Sequence, residues 1–478
     1  MSPARKSAPR STKSRKASGR SDRRPASPAV AEAHLPSDAE LRRLAERILK
    51  LSDADETEVE IEAAADALTR FANNTIHQNV AEQSLSVSVR TVFDGRTARA
   101  TTNKTDDESL RRVVAASATL ARSQPKNPDL LPMLGKQKYA KVERYFASTA
   151  AATPIDRAHA VARVCAHAAQ NALTSAGILS TGASAMALAN SRGLWAAHRQ
   201  TRAEFSVTMM DNDSSGWAKA SSPDLRSFDP EALAASASQK ATASRHPREV
   251  EPGRWTVILE PAAVLDIVGF LFYDFAGTAI LDQRSCFNKR MGKKLMGDNV
   301  TIRDDVTHPL QSGPPFDGEG VPRQKVLLVD RGVPKNLVYA RSTAKKMKAK
   351  PTGHGLPLPN QDGEAPLNLV FDGGKSSIDE MVASTDRGIL LTRMWYIRDV
   401  EPYEKVLTGM TRDGSFLVEN GRIVSGIRNF RFNQGILEML SNVEQMGPAV
   451  RAAGEESFEM VVPAMKVRNF HFSEVTKF

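Results

Sequence analysis

The sequence predicts an α+β protein in two parts, an N-terminal α/β-type layered domain followed by a β-rich, barrel-like one. Three observations carry this. In the first half, segments with helical spacing of apolar residues alternate with segments of period two. From Phe228 to Val250 the chain becomes rich in Ala, Ser and Lys and loses all alternation, which sets a boundary near residue 240. Past it, strand-like runs dominate between Gly- and Pro-rich loops. In a chain of 478 residues, parts taken as 35–240 and 241–478 are each long enough to bury a core.

The first helix is expected over Leu35 to Leu51, where Leu41, Leu44, Ile48 and Leu51 recur at helical spacing after a Ser37-Asp38 cap. VEIEA around Val59 and LSVSVRTVF (85–93) alternate as half-exposed strands. Asp94-Gly95 supplies a turn, and RTARATTN returns as the next strand. Asp106 to Ser123 opens with acids, as helices do, and QPKNPDLLP ends it. A further helix, Pro154 to Ala172, puts Val161, Cys165 and Ala168/Ala169 on one side and His159, Arg163 and His167 on the other. That stripe has the chemistry to bind phosphate, but a solvated face is the preferred reading. Hairpin strands run from Met186 to Met210 around Ser191-Arg192-Gly193. In the second half RWTVILE, QKVLLVD, LNLVF, GILLTRMWYI and SFLVENGRIVS read as strands, and Val264–Gly277 as one of few helices.

The net charge of +10 is not spread along the chain. Residues 1–24 hold nine Lys and Arg against Asp22 alone, so this tail carries +8 and the rest only +2. Rich in Ser, Pro and Ala, residues 1–34 are expected to be a disordered basic tail that touches nucleic acid at most weakly, through residues 1–24. Two cysteines, Cys165 and Cys286, give no disulfide framework and favour a reducing, cytoplasmic setting. The stretch VLDIVGFLFYDFAG (264–277) is the most apolar of the chain, but Asp266 and Asp274 interrupt it and it is shorter than the roughly 20 residues of a membrane span. It reads as a buried helix.

Several residues invite chemical readings. Cys286 paired with a distant His is a conceivable thiol nucleophile, without a local signature. Asp317 and Glu319 in FDGEG, beside Gly320, offer two carboxylates for a cation or a peptide amine; an exposed acidic turn is the plainer expectation. Gly353, His354 and Gly355 would let a substrate backbone approach closely, although a lone His in such a loop is more often structural. GGKSS (373–377) lacks the upstream glycine of a phosphate loop.

Five segments in order resemble one family: ALTRFANNTIHQNVAEQSLSVSVRTVFDGRTARATTN (67–103), ANSRGLWAAHRQTRAEFSV (189–207), FDGEGVPRQ (316–324), ARSTAKKMKAKPTGHG (340–355) and FLVENGRI (416–423). They are similar to the TldD/PmbA proteins, once called modulators of DNA gyrase and understood as subunits of a zinc metallopeptidase. The resemblance implies HExxxH on a helix near the start of the second domain, two imidazoles holding zinc and the Glu polarising water, with a further cysteine ligand near the end. Placing SCFNKRMG (285–292) on the family's corresponding segment and reading back without gaps lands the motif on VGFLFY. Val268 and Tyr273 then stand at the His positions and Gly269 at the Glu position.

None of the three can do that chemistry. The nine histidines include no pair three to five residues apart, and GPAVRAAGEESFEMVVP (447–463) has no cysteine. The pattern resembles the PmbA (TldE) branch, which implies a subunit without metal or catalytic residues of its own. Zinc is then expected in an HExxxH-bearing paralogue, the partner in a heterodimer or larger assembly acting on unfolded peptides. Asp317, Glu319, Gly320, Gly353, His354 and Gly355 are the groove candidates. Two alternatives stand beside it: an autonomous hydrolase using Cys286 or Asp317/Glu319, and a nucleic-acid-associated regulator acting through the tail.

Overall fold

Alternation along two long hairpins dictates the first layer. The computed structural model describes residues 35–476, so the reading of residues 1–34 as a disordered basic tail lies outside the described residues. Strands β1 (Glu56–Ala72), β2 (Thr75–Phe93), β3 (Arg96–Thr102), β4 (Thr174–Asn190), β5 (Trp195–Met210) and β6 (Ser215–Ser222) form an antiparallel sheet in the order β3-β2-β1-β4-β5-β6. Register puts Val59, Ile61, Val87, Ala185 and Ala187 on one face near one end, and Phe71, Leu179, Phe205 and Val207 on the same face near the other. Helices α1 (Asp38–Leu49) and α2 (Asp107–Ser123) cover the first group through Leu41, Ile48, Leu110 and Val113. After a single turn α3 (Ala147–Ala150), helices α4 (Pro154–Gln170) and α5 (Pro230–Ala243) cover the second through Val161, Val164, Ala234, Ala237 and Ala241.

Helix α5 corrects the sequence reading of 228–250 as featureless. Its buried side is mostly alanine, with Ser238 among Ala234, Ala237 and Ala241, which carries too little hydrophobic contrast to show as a period. The expected cap of α1 is present and stronger than predicted: Ser37 and Glu40 bond each other's backbone N–H groups reciprocally.

The second half begins with β7 (Gly253–Leu259) and continues with β8 (Ile302–Asp304), β9 (Val326–Asp330), β10 (Val333–Pro334) and β11 (Leu369–Phe371). It ends with β12 (Arg387–Glu401), β13 (Val406–Glu419), β14 (Arg422–Gly426), β15 (Phe430–Gly435), β16 (Val443–Met446), β17 (Val450–Ala452), β18 (Met460–Val462) and β19 (Met465–Val475). The order β12-β7-β19-β15-β13, with β13 returning to β12, closes a five-stranded barrel. A second sheet, β10-β9-β8-β11-β18-β17, lies beside it. The fold is thus α+β with a barrel in the second part, as the strand-rich sequence implied.

Residues 264–277 are not one helix. Helix α6 (Pro261–Val268) gives way to a 3-10 segment, Gly269–Phe275, before α7 (Gly277–Leu281). Three residues per turn place Leu271 and Asp274 inward while Phe270, Phe272 and Tyr273 stay partly exposed, so a largely apolar run still acquires an outer face. Val264, Leu265, Ile267, Val268 and Leu271 join one core with Val257, Phe432, Phe470 and Phe472 of the barrel.

Candidate functional site

Two places gather the residues marked out by sequence. The first is the end of α6. Val268 is fully buried in the barrel core. Gly269 meets the loop 454–458 so closely that a Cβ would lie 2.0 Å from Ser457 Oγ. The Tyr273 hydroxyl donates to the Asp362 carbonyl at 3.1 Å. Phe272 meets Phe458 edge-on, with centroids 5.3 Å apart. Together Gly269, Phe270, Phe272, Phe458, Glu455 and Glu456 line an opening of about 380 Å³.

The loop is fixed by Asp266, buried on α6. Its carboxylate accepts the amides of Glu455 and Glu456 on one oxygen and of Met394 on the other, each at 3.2 Å. Burial pushes this carboxyl up to about 7, although the three amides pull the other way. Nothing in the sequence pointed to Asp266 as an anchor, because its partners lie in distant segments.

The second place brings Asp317, Glu319, Gly320, Gly353, His354 and Gly355 together. Asp317 accepts the amides of Glu319 and Val321 at 2.9 Å and of Gly355 at 2.8 Å. Glu319 accepts the Arg341 amide at 3.0 Å. The missing side chain of Gly355 lets the Glu319 carboxylate approach, since a Cβ there would lie 2.6 Å from Glu319 Oε1. His354 is buried between Thr352 Oγ1, at 2.9 Å, and Asp304 Oδ1, at 3.0 Å. Asp317 and Glu319 are 3% and 7% exposed, which corrects the expectation of an exposed acidic turn. Burial raises both carboxyls, that of Glu319 to about 7.

This cluster sits against the first sheet. Gly320, at φ +79°, packs on Leu194, and the Tyr139 hydroxyl donates to the Gly320 carbonyl at 2.9 Å. Burial, and then the charge of Asp317, push the Tyr139 phenol up to about 12. Nearby, Arg90 grips Glu58 through two bonds of 3.1 and 2.9 Å, and Arg99 joins Glu58 and Glu60 while donating to the Leu358 carbonyl at 2.7 Å. Burial alone would raise the Glu58 carboxyl; Arg90 and then Arg99 outweigh it and hold Glu58 below its ordinary range. This ionic seam was missed in the sequence, where its members are scattered along three alternating strands.

Other readings resolve simply. Cys286 is fully buried, its amide bonded to Asp274, and burial drives its thiol upward, away from the thiolate a nucleophile needs. In the His–Arg–His stripe Arg163 pairs with Glu231 and His167 meets Ser238 Oγ at 3.0 Å, so two of its members engage α5. Among the described residues no helix is long and apolar enough to cross a membrane.

Comparison with known proteins first defines a class: the sequence matches metallopeptidase family models along most of its length. The PmbA/TldA metallopeptidase C-terminal domain matches residues 252–474, the central domain 145–245 and domain 1 residues 57–121. The chain belongs to the PmbA/TldD family. It is 28% identical to a metalloprotease TldD homolog of Buchnera aphidicola over 39% of this chain and 41% of that one. It is 21% identical to the metalloprotease PmbA of Escherichia coli over 50% and 51%. The chain thus spans about half the length of these curated relatives. The crystal structure of TldE from Thermococcus kodakarensis superposes with a TM-score of 0.82 at 19% identity, covering 91% of this chain and 99% of that one.

A metallopeptidase family implies a metal, and the side chains here do not fit one. Val268 and Gly269 offer no lone pair, and the Tyr273 hydroxyl is committed to a carbonyl. Of the carboxylates at the opening, Glu456 accepts the Tyr396 amide at 2.5 Å and Glu455 lies 3.3 Å from Lys219 Nζ. Among the described residues no three His, Cys, Asp or Glu are grouped to hold a metal ion.

Proposed function

We propose that this chain is a TldE/PmbA-like, non-catalytic subunit of a cytoplasmic TldD/TldE-type metallopeptidase. In this reading it pairs with an HExxxH-bearing paralogue that holds the zinc, shapes the path of unfolded peptide and stabilises that partner. The observation carrying it is the chemistry at the end of α6: Val268, Gly269 and Tyr273 occupy the positions the family resemblance assigns to two imidazoles and a carboxylate. Water cannot be activated by hydrocarbon, whereas a preformed surface can still orient a peptide. The buried Asp317/Glu319 cluster serves, on this reading, as the brace that holds the barrel half against the first sheet rather than as the groove wall. The autonomous hydrolase is disfavoured by the same burial and by the inert surroundings of Cys286.

The test is capture of tagged full-length chain from its native extract, followed by metal analysis of the chain alone and of the complex. An HExxxH paralogue should co-purify, with zinc stoichiometric to the paralogue only. A lone chain that retains zinc and cleaves unfolded peptide would overturn the proposal.

A further inference from the structure

We infer that the free outer edge of β2, residues 75–86, is a docking strand for an unfolded peptide that binds in extended form and carries a basic side chain. This rests on the peptide-handling role proposed above and adds where such a peptide binds and what it must carry. Strand β2 pairs with β1 along its length, but β3 covers its other edge only from Val87 to Phe93. Among the described residues no other strand pairs with β2, so residues 75–86 present alternate N–H and C=O groups with no strand beside them. Proteins ordinarily blunt such an edge with Lys or Pro; residues 75–86 contain neither, and no Arg. Residues 77–79 and 81–84 are exposed, so both faces of the strand are open as well as its edge.

The side chains beside this edge decide the occupant. Register sets Glu82 of β2 directly opposite Asp66 of β1, a like-charged cross-strand pair that costs stability. Among the described residues neither carboxylate accepts a hydrogen bond or forms an ion pair. With Leu68, Val80 and Gly182 they line a recess of about 120 Å³, room for the end of one side chain rather than for a whole ligand. A Cβ on Gly182 would lie 2.1 Å from Asp66 Oδ1, so bare backbone seats that carboxylate. Arg202 lines the same recess, but its guanidinium is bonded to Glu204 at 2.7 Å and to Glu459 at 2.9 Å. It only tempers the Asp66 carboxyl, which burial and the charge of Glu82 hold above its ordinary range. A strand added beside β2 places the residue facing Glu82 about 5 Å from it, Cβ to Cβ, on the same face of the sheet. Asp66 lies one strand further, roughly 10 Å from the added backbone, which an extended Lys or Arg and the Asp66 side chain span together. Charge also argues against a second copy, since joining two β2 edges brings both acidic pairs into one sheet with no cation between them. A cationic extended peptide satisfies the open main-chain groups and the two carboxylates at once.

The experiment is fluorescence-anisotropy titration of the full-length chain with labelled N-acetyl-Thr-Val-Thr-Lys-Thr-Val-Thr-amide. Forms with Gln or Glu in place of Lys test the charge, and two forms N-methylated at the odd or the even backbone amides test the strand pairing. The Lys peptide should bind about fivefold tighter than the Gln peptide, as a surface ion pair allows. One methylated form should lose about tenfold or more, through two or three main-chain bonds, while the other, methylated on its outer edge, keeps its affinity. Glu82 is exposed and makes no bond of its own, so Glu82→Lys keeps the fold and should reverse the preference in favour of the Glu peptide. Equal affinity for the Lys and Gln peptides, or for the two methylated forms, overturns the inference. A chain that sediments as a dimer and binds no peptide has its edge covered by a second copy, and this overturns it too. A chain that captures its paralogue yet binds none of the peptides sinks this inference and leaves the subunit role standing; one that binds them as described and captures no paralogue does the reverse.

Discussion

The junction of residues 316–320 with 352–355 and the opening at residues 269–272 and 455–458 differ in what their side chains face. The junction holds the carboxylates that sequence marks as chemical, but each is turned onto the chain's own amides: Asp317 takes three and Glu319 one. The opening has no catalytic group, yet its rings are only half-buried and its loop is tied down from beneath by Asp266. Polar residues with all their partners inside the fold stabilise it; apolar residues left without cover are what a ligand can still change.

The contrast predicts the largest loss at the junction. Asp317→Ala orphans three buried amides at once and should cost about 3–5 kcal/mol of unfolding free energy, since each unsatisfied buried donor costs on the order of 1–3 kcal/mol. Urea unfolding of the full chain reads this directly. A change below about 1 kcal/mol would mean that the amides find water and that the loop is not a brace. Glu455→Gln, at the opening, should leave the same unfolding midpoint within error.

A pH profile comes next in size. Folding raises the carboxyls of Asp266 and Glu319 from their ordinary values to about 7. Between about pH 4 and 7 the folded chain thus retains protons that the unfolded chain has released, so stability is greatest at the acid end of this window and declines as pH rises through it. Glu58 is held low and opposes this only below about pH 4.5, and His198, which burial lowers to about 4, partly offsets it between about pH 4 and 6.5. Thermal midpoints from pH 5 to 8 should fall, and Glu319→Gln should flatten the slope. A rising midpoint would show that the amide donors, not burial, govern these two groups.

Much of the first sheet was legible because its physics is local. Ser37 with Glu40, Asp106, and the alternation through Leu85–Phe93 each announce an element from a few adjacent residues. Helix α5 was not, since a mostly alanine face carries little amphipathic signal. The shape at the end of α6 was not legible: residues 264–277 read as one helix, whereas the 3-10 turn depends on packing against the barrel. The loop 454–458 could not be joined to Gly269 from sequence, because nothing local links Phe458 to Phe272. Glu58, Arg90 and Arg99 look like the solvated side of three strands until the second half of the chain covers them.

At the opening, Gly269→Ala should have an intermediate effect. A Cβ there would lie 2.0 Å from Ser457 Oγ and 2.5 Å from Ser457 Cβ, so the loop must move. Overpacking of this kind costs about 1–3 kcal/mol. Urea unfolding of the full chain should show this loss, and an unchanged midpoint would mean that loop 454–458 gives way freely.

Cys286 gives the smallest effect and bears on the remaining alternative. Its thiol is fully buried beside Phe275 and Phe287, with burial and then Asp274 disfavouring the thiolate. Cys286→Ala removes one buried sulfur and should cost about 1 kcal/mol, as a small core truncation does. Any peptide turnover in a preparation of the chain should survive this change, because a thiol held protonated cannot attack a carbonyl. A disulfide-exchange reagent should accordingly label neither Cys286 nor the buried Cys165 until the chain unfolds. Rapid labelling of Cys286 in the native state would require an exposed, ionised sulfur and would return the hydrolase reading to consideration.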